Sequence, residues 1–307
     1  MKNKFVGILL IIAIILQSIL IYKIFENTYI QYNINNDIKR KENQIEEAKG
    51  YIKEIGMEKQ KINKEINIKI KQKEEIINKE KKKRELEKRE RDKYNNGEKI
   101  VYLTFDDGPS SNTRKILDIL KDEKINGTFF VKGSDTEYSK ELYKRIVEDG
   151  NAIGNHTYSH NYSYIYKSKE NFIKDFNKLQ NIIKETTGIE PKIMRFPGGS
   201  NNTVSHNYGG TGIMKEIINY FKQNNYIYYD WNVDSTDASK ALQSKERIVN
   251  SVIYGSKDID KIIVLMHDSG GKTTTVEALP EIIKSLKERG YKFKTLSPSE
   301  FRITFAT

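Results

Sequence analysis

The chain has 307 residues, a formal net charge of +11 and no cysteine. The lack of cysteine excludes disulfides, thiolate metal sites and a cysteine nucleophile. The positive excess points first to nucleic acid, but about half of it lies in the lysine-rich stretch 31–99. The remainder is only mildly basic and carries no nucleic-acid motif, so no nucleic-acid partner is expected.

Residues 5–22 form an apolar run of eighteen, interrupted only by Gly7, Gln17 and Ser18, with Lys2 and Lys4 before it and Lys23 after it. That length is close to the minimum for a helix crossing a bilayer. A cleaved signal peptide starts the same way, but its apolar core is usually shorter, and no small-x-small cleavage site follows Ser18. The expectation is an uncleaved single-pass anchor over 1–25 in the cell membrane, with the rest of the chain outside the cytoplasm.

The next stretch, 26–97, is dense in Lys and Glu, with Ile38, Ile45, Ala48, Ile52, Ile55, Ile62, Ile66 and Ile76 recurring at spacings close to a heptad. Lys59, Lys69 and Lys73 break that seam. A single charged helix and a parallel coiled coil joining two copies of the chain both fit the pattern. Either way it is a spacer, and sixty helical residues would reach about 90 Å at roughly 1.5 Å per residue. Asn95, Asn96 and Gly97 are expected to end it.

All five prolines lie from Pro109 onward, so the folded domain is expected over 98–307. Short apolar runs then alternate with amphipathic segments, the pattern of a parallel α/β fold. Strands are expected at 99–105, 128–131, 152–155, 193–196, 227–231, 262–267 and 291–295, with helices at 112–122, 139–149, 169–187, 212–223, 245–254 and 276–289. Seven strands with intervening helices, and no dinucleotide-binding glycine pattern, favour a closed or nearly closed barrel over an open sheet.

Chemistry-bearing residues gather at the ends of these strands. Leu103-Thr104-Phe105-Asp106-Asp107-Gly108-Pro109 puts two adjacent carboxylates at a strand tip before a forced turn. Their joint ionisation is costly unless a cation or an arginine sits beside them. His156 and His160 follow another strand, and on a helical turn a spacing of four would put both rings on one side to grip a cation. His267 closes a third strand. Arg195-Phe196-Pro197-Gly198-Gly199 ends a fourth, with an arginine able to hold a carboxylate through bidentate bonds and glycine N–H groups able to approach an oxyanion. Trp231-Asn232-Val233-Asp234-Ser235-Thr236-Asp237 ends a fifth, and Trp231 is expected to face substrate.

These five elements, in this order, resemble the motifs of the NodB-type polysaccharide deacetylases, carbohydrate esterase family 4, over about two-thirds of the chain. The resemblance implies a distorted (β/α)7-type barrel, a divalent metal (usually zinc, with cobalt or another ion possible) and removal of acetyl groups from N-acetylated sugars. It makes Asp107, His156 and His160 metal ligands, Asp106 the general base, Arg195 its orienting partner and His267 the general acid, with Asp237 tuning that histidine. Leu265 would line the pocket for the acetyl methyl, and the Gly198 N–H would meet the oxyanion. Two departures stand out: Gly198 where many relatives carry a bulky aromatic, and Ala238 where many carry tryptophan. The expected substrate is a glycan outside the cytoplasm, N-acetylglucosamine of peptidoglycan foremost. N-acetylmuramic acid, poly-N-acetylglucosamine and chitin oligomers are alternatives. A non-catalytic, membrane-tethered glycan-binding protein is the rival from another class.

Overall fold

The computed structural model describes residues 2–92 and 97–305. It divides between Leu86 and Glu87 into two units. The N-terminal one is all helix, part of α1 (Lys2–Asp92), with no break where the apolar run gives way to charged sequence. Its apolar window has a mean hydropathy of 2.6 and is long enough to cross a membrane. The isoleucines of the imperfect seam, Ile38, Ile45 and Ile52 among them, are exposed along it. The stop expected at Asn95 and Asn96 lies outside the described residues.

The second unit is a distorted (β/α)7-type barrel. Its strands are β1 (Ile100–Asp106), β2 (Thr128–Val131), β3 (Ala152–Asn155), β4 (Ile193–Met194), β5 (Ile227–Tyr228), β6 (Val233–Asp234), β7 (Lys261–His267) and β8 (Lys292–Phe293). All pair in parallel in the order β5-β4-β3-β2-β1-β7-β6. β8 shares β1 with β2: it takes Ile100 and Val101, while β2 takes Thr104 to Asp106. Helices α2 (Ser111–Asp122), α3 (Glu137–Glu148), α4 (Tyr162–Ile165), α5 (Lys169–Thr187), α6 (His206–Gly209), α7 (Ile213–Gln223), α8 (Lys245–Gly255) and α9 (Thr273–Glu288) connect them. Ser110 starts α2 with a capping box, accepting from the N–H of Asn112.

The strand expected over 227–231 is cut short to β5, and β6, at 233–234, is a further strand that the sequence did not announce; the two do not pair with each other. The chain between them hydrogen-bonds elsewhere: Asp230 N–H donates to Ile303 O over 2.9 Å and Asn232 N–H to Ile263 O over 3.3 Å. The segment 301–305 thus covers the interruption in the ring.

Side-chain alternation sorts the strands into two layers. Val101, Leu103, Phe105, Phe129, Val131, Ile262, Val264 and Met266 pack outward under the helices. Ile100, Tyr102, Phe130, Ile193, Tyr229 and Ile263 fill the barrel interior with Leu296. Each such buried side chain contributes about 1.5–3 kcal/mol. The parity has a consequence at the strand tips: position 106 of β1, 195 after β4 and 267 of β7 all fall on the inward face, at the C-terminal mouth.

Candidate active site

Asp106 is buried at the end of β1. Arg195, itself without exposed surface, donates from Nη1 to Asp106 Oδ1 over 2.9 Å and to Thr104 Oγ1 over 2.7 Å. Its Nε donates to Tyr229 O over 2.9 Å and its Nη2 to Asp230 O over 3.2 Å. The expected bidentate grip is therefore replaced by a single bond, because the other donors are committed to the backbone between β5 and β6. The guanidinium lies over the rings of Phe130 and Trp231, with 4.4 and 5.6 Å to the ring centroids. Burial raises the Asp106 carboxyl above the usual carboxylate range, and the charge of Arg195 works the other way. The result is an oriented carboxylate with increased proton affinity and its second oxygen, Oδ2, turned toward His156 Nε2 at 3.8 Å.

Asp107 follows in the left-handed region at φ 76, which turns its side chain away from the strand direction. Its Oδ1 lies 3.2 Å from His160 Nε2 and 3.8 Å from His156 Nε2. The ligand atoms of Asp107, His156 and His160 lie within 4.8 Å of one another, a group that could hold a metal ion. His156 Nδ1 bonds to Arg195 O over 2.8 Å, which fixes Nδ1 as the protonated nitrogen and leaves the Nε2 lone pair facing the cluster. Burial holds His156 down to about 4, against the opposing charge of Asp107. Burial, and then His156, lower His160 to about 4 as well. Burial works against the Asp107 carboxylate, but the two imidazoles outweigh it and hold it below the usual range. At neutral pH the cluster is one carboxylate and two neutral imidazoles, the donor set of a catalytic zinc-type site. Asp107 Oδ1 is buried without a hydrogen-bond partner. A cation would satisfy that orphaned oxygen, so these residues fit the metal that the resemblance implies.

The two histidines are not on a helical turn. Residues 156–160 form a loop in which Thr157 (φ 68) and His160 (φ 51) are left-handed, a backbone no helix continues through. Side chains hold this strained turn in place: Thr157 N–H donates to Asn155 Oδ1 over 2.8 Å and Ser159 N–H to Asp175 Oδ1 over 2.9 Å.

His267 stands at the inward end of β7 against Asp237, a buried acid that also accepts from Thr275 Oγ1. Leu265, two residues earlier on the same face, is buried beside Thr104 in the sheet register. Trp231 is half-buried against Phe305, with ring centroids 5.0 Å apart. Gly198 is exposed at φ 79, and its N–H makes no hydrogen bond among the described residues.

Sequence reasoning passed over three neighbours. Thr104 shares Arg195 with Asp106. Asp230 is buried and accepts from Ser200 N–H and Oγ and from Phe305 N–H. Tyr162 sets its ring edge-on to His160, with centroids 5.5 Å apart, and its phenol is pushed up to about 12 by burial and then by Asp107 and Asp106. Thr104 lay inside the strand-tip motif and was readable there. Asp230 acts across tens of residues and left no local pattern, and Tyr162, two positions past His160, belongs to no motif.

A parallel (β/α) barrel with this cluster of acids and histidines at its mouth defines a class. The chain belongs to the polysaccharide deacetylase family, whose model matches residues 93–211. A peptidoglycan-N-acetylglucosamine deacetylase of Bacillus cereus is 35% identical over 208 residues, covering 66% of this chain and 88% of that protein. The peptidoglycan-N-acetylmuramic acid deacetylase PdaC of Bacillus subtilis is 35% identical over 204 residues, covering 66% of this chain and 39% of that one. Among solved structures, the catalytic domain of peptidoglycan N-acetylglucosamine deacetylase from Eubacterium rectale superposes with a TM-score of 0.66 at 38% identity, covering 69% of this chain and 94% of that one. The protein is accordingly an enzyme that deacetylates glycan.

Proposed function

We propose that the barrel hydrolyses the acetamido group of N-acetylglucosamine in peptidoglycan, in a metal-dependent reaction outside the cytoplasm. The observation that carries this reading is the convergence of three units at one mouth: the Asp107, His156 and His160 cluster, the Arg195-held Asp106 and the Asp237-held His267. A divalent ion, zinc foremost, held by Asp107, His156 and His160 would supply Lewis acidity to the amide oxygen and to the attacking water.

The remaining steps belong to the protein. Asp106 Oδ2 takes the proton of the water as its oxygen bonds to the amide carbon. The Gly198 N–H donates to the oxygen that becomes negative in the tetrahedral intermediate. His267, protonated through its pairing with Asp237, gives a proton to the sugar nitrogen as the C–N bond breaks, leaving acetate and a free amine. An amine leaves poorly without that proton.

The apolar window of α1 supports a tether to the cell membrane, and the charged length beyond it supports a spacer able to reach into a polymer wall. Assays of purified protein on N-acetylglucosamine oligomers and on isolated peptidoglycan, with and without chelator, test the reading. Acetate release that chelator abolishes is expected, and chelator-indifferent release would overturn the metal role. Mass spectrometry of the wall product separates glucosamine from muramic acid deacetylation, the second reading that the likeness to PdaC favours.

A further inference from the structure

Gly198 leaves a hole on the loop beside the metal-ligand cluster, and a different residue fills it. A Cβ at position 198 would sit 2.7 Å from the Tyr162 hydroxyl oxygen and 3.4 Å from its Cε1. The phenol reaches this point from two residues beyond His160, with its ring braced edge-on against His160 on one side and against Tyr166 on the other, both at 5.5 Å between centroids. Tyr166 is anchored in turn through its hydroxyl to Pro197 O over 2.7 Å, so both tyrosines brace the same loop.

The Tyr162 hydroxyl makes no hydrogen bond among the described residues, and the residue is only half-buried. The N–H of Gly198, the residue whose Cβ position the phenol crowds, likewise has no hydrogen-bond partner among the described residues. The phenol and this N–H are two donors without a protein partner among the described residues, on the segments that carry His160 and follow Arg195, and together they suit one acceptor oxygen.

We propose that Tyr162 is a catalytic residue, its hydroxyl donating, alongside the Gly198 N–H, to the amide-derived oxygen of the tetrahedral intermediate. This rests on the deacetylase reading above. The bond changes are unaltered: the phenol keeps its own proton throughout and only strengthens its hydrogen bond as negative charge grows on that oxygen. A phenol keeps its proton at neutral pH and so remains a donor. Glycine at 198 is then required on the same grounds, because any side chain there would displace the hydroxyl.

The test is steady-state deacetylation of N-acetylglucosamine oligomers by the full chain in detergent, wild type against Tyr162→Phe, with melting temperatures and with inhibition by a tetrahedral phosphonate analogue of the acetamide. The phenylalanine ring keeps the packing on His160 and Tyr166. We expect kcat to fall about 100-fold with KM within about twofold. The phosphonate should weaken by a comparable factor while the melting temperature stays put. An unchanged kcat in an active background overturns the assignment, as does a loss confined to KM, which would make the phenol a ground-state sugar contact. An inactive wild type overturns the deacetylase reading and this inference with it.

Discussion

His267 and Asp237 are joined twice: the imidazole Nδ1 lies 2.7 Å from Asp237 Oδ1, and the His267 backbone N–H donates to Oδ2 over 2.7 Å. Burial alone would lower the imidazole, but the hydrogen bond and charge of Asp237 reverse that and raise it from 6.5 to about 9. The general acid is therefore loaded with its proton across the neutral range. Activity should hold up to about pH 9 and fall above it, and Asp237→Asn should move that alkaline limb toward or below 6.5 while lowering kcat at least about 10-fold. A pH–rate profile of both proteins reads this. Stability follows the same sign: a folded pKa above the unfolded one contributes in full below pH 6.5 and is lost as pH rises through about 9.

Arg195 and Asp106 form a buried pair, so deleting the cation should cost far more than an exposed pair would. Arg195→Met should destabilise the barrel by about 3–5 kcal/mol, because it leaves a carboxylate without its partner away from water. Urea unfolding should show that loss, and Asp106→Asn added to Arg195→Met should recover part of it. The single change Asp106→Asn should retain the fold and lower kcat by at least about 100-fold.

Metal binding should be visible without turnover. A ligand that binds only the folded form raises its stability by mass action. Adding a divalent cation to the metal-stripped protein should therefore raise the melting temperature of the barrel. His160→Ala should abolish most of that rise, as calorimetric titration of the ion would also show.

Gly108 tolerates no side chain, for a reason outside its backbone angles. A Cβ there would lie 2.7 Å from both Cγ and Oδ1 of Asp268, and closer still to Oδ2. That acid is wholly buried, pushed up to about 7 by burial, and accepts from Thr113 Oγ1 over 2.5 Å. It has no room to retreat, so Gly108→Ala should cost about 1–3 kcal/mol and shift the neighbouring Asp107. Thermal melting and metal affinity should both fall.

Much of this was legible in the order of residues along the chain. The alternation in β1 is local, and it predicts both a strand and two acids at its tip. The long-range arrangement was less accessible. An H-x-x-x-H spacing is compatible with a helical turn, and only the left-handed Thr157 and His160, held by Asn155 and Asp175, make it a loop. The run 227–231 reads as one strand because four of its five residues are apolar or aromatic. It stops at Tyr228 because Asp230 is drawn to Ser200 and to the segment 301–305, contacts that no periodicity encodes. Tyr162 escaped notice for the same reason: the glycine whose space it fills is thirty-six positions later.

The inward parity of β1 implies a particular pattern of tolerance to insertions and deletions. Val101, Leu103 and Phe105 point under the helices while Ile100, Tyr102, Thr104 and Asp106 point to the axis, so removing one residue from this strand would exchange the two sets. An aromatic ring would then stand where the acid belongs, and the acid would be driven into oil. Length variation among natural variants should accordingly collect in the surface connections, while a single-codon loss within 100–106 abolishes folding and catalysis together.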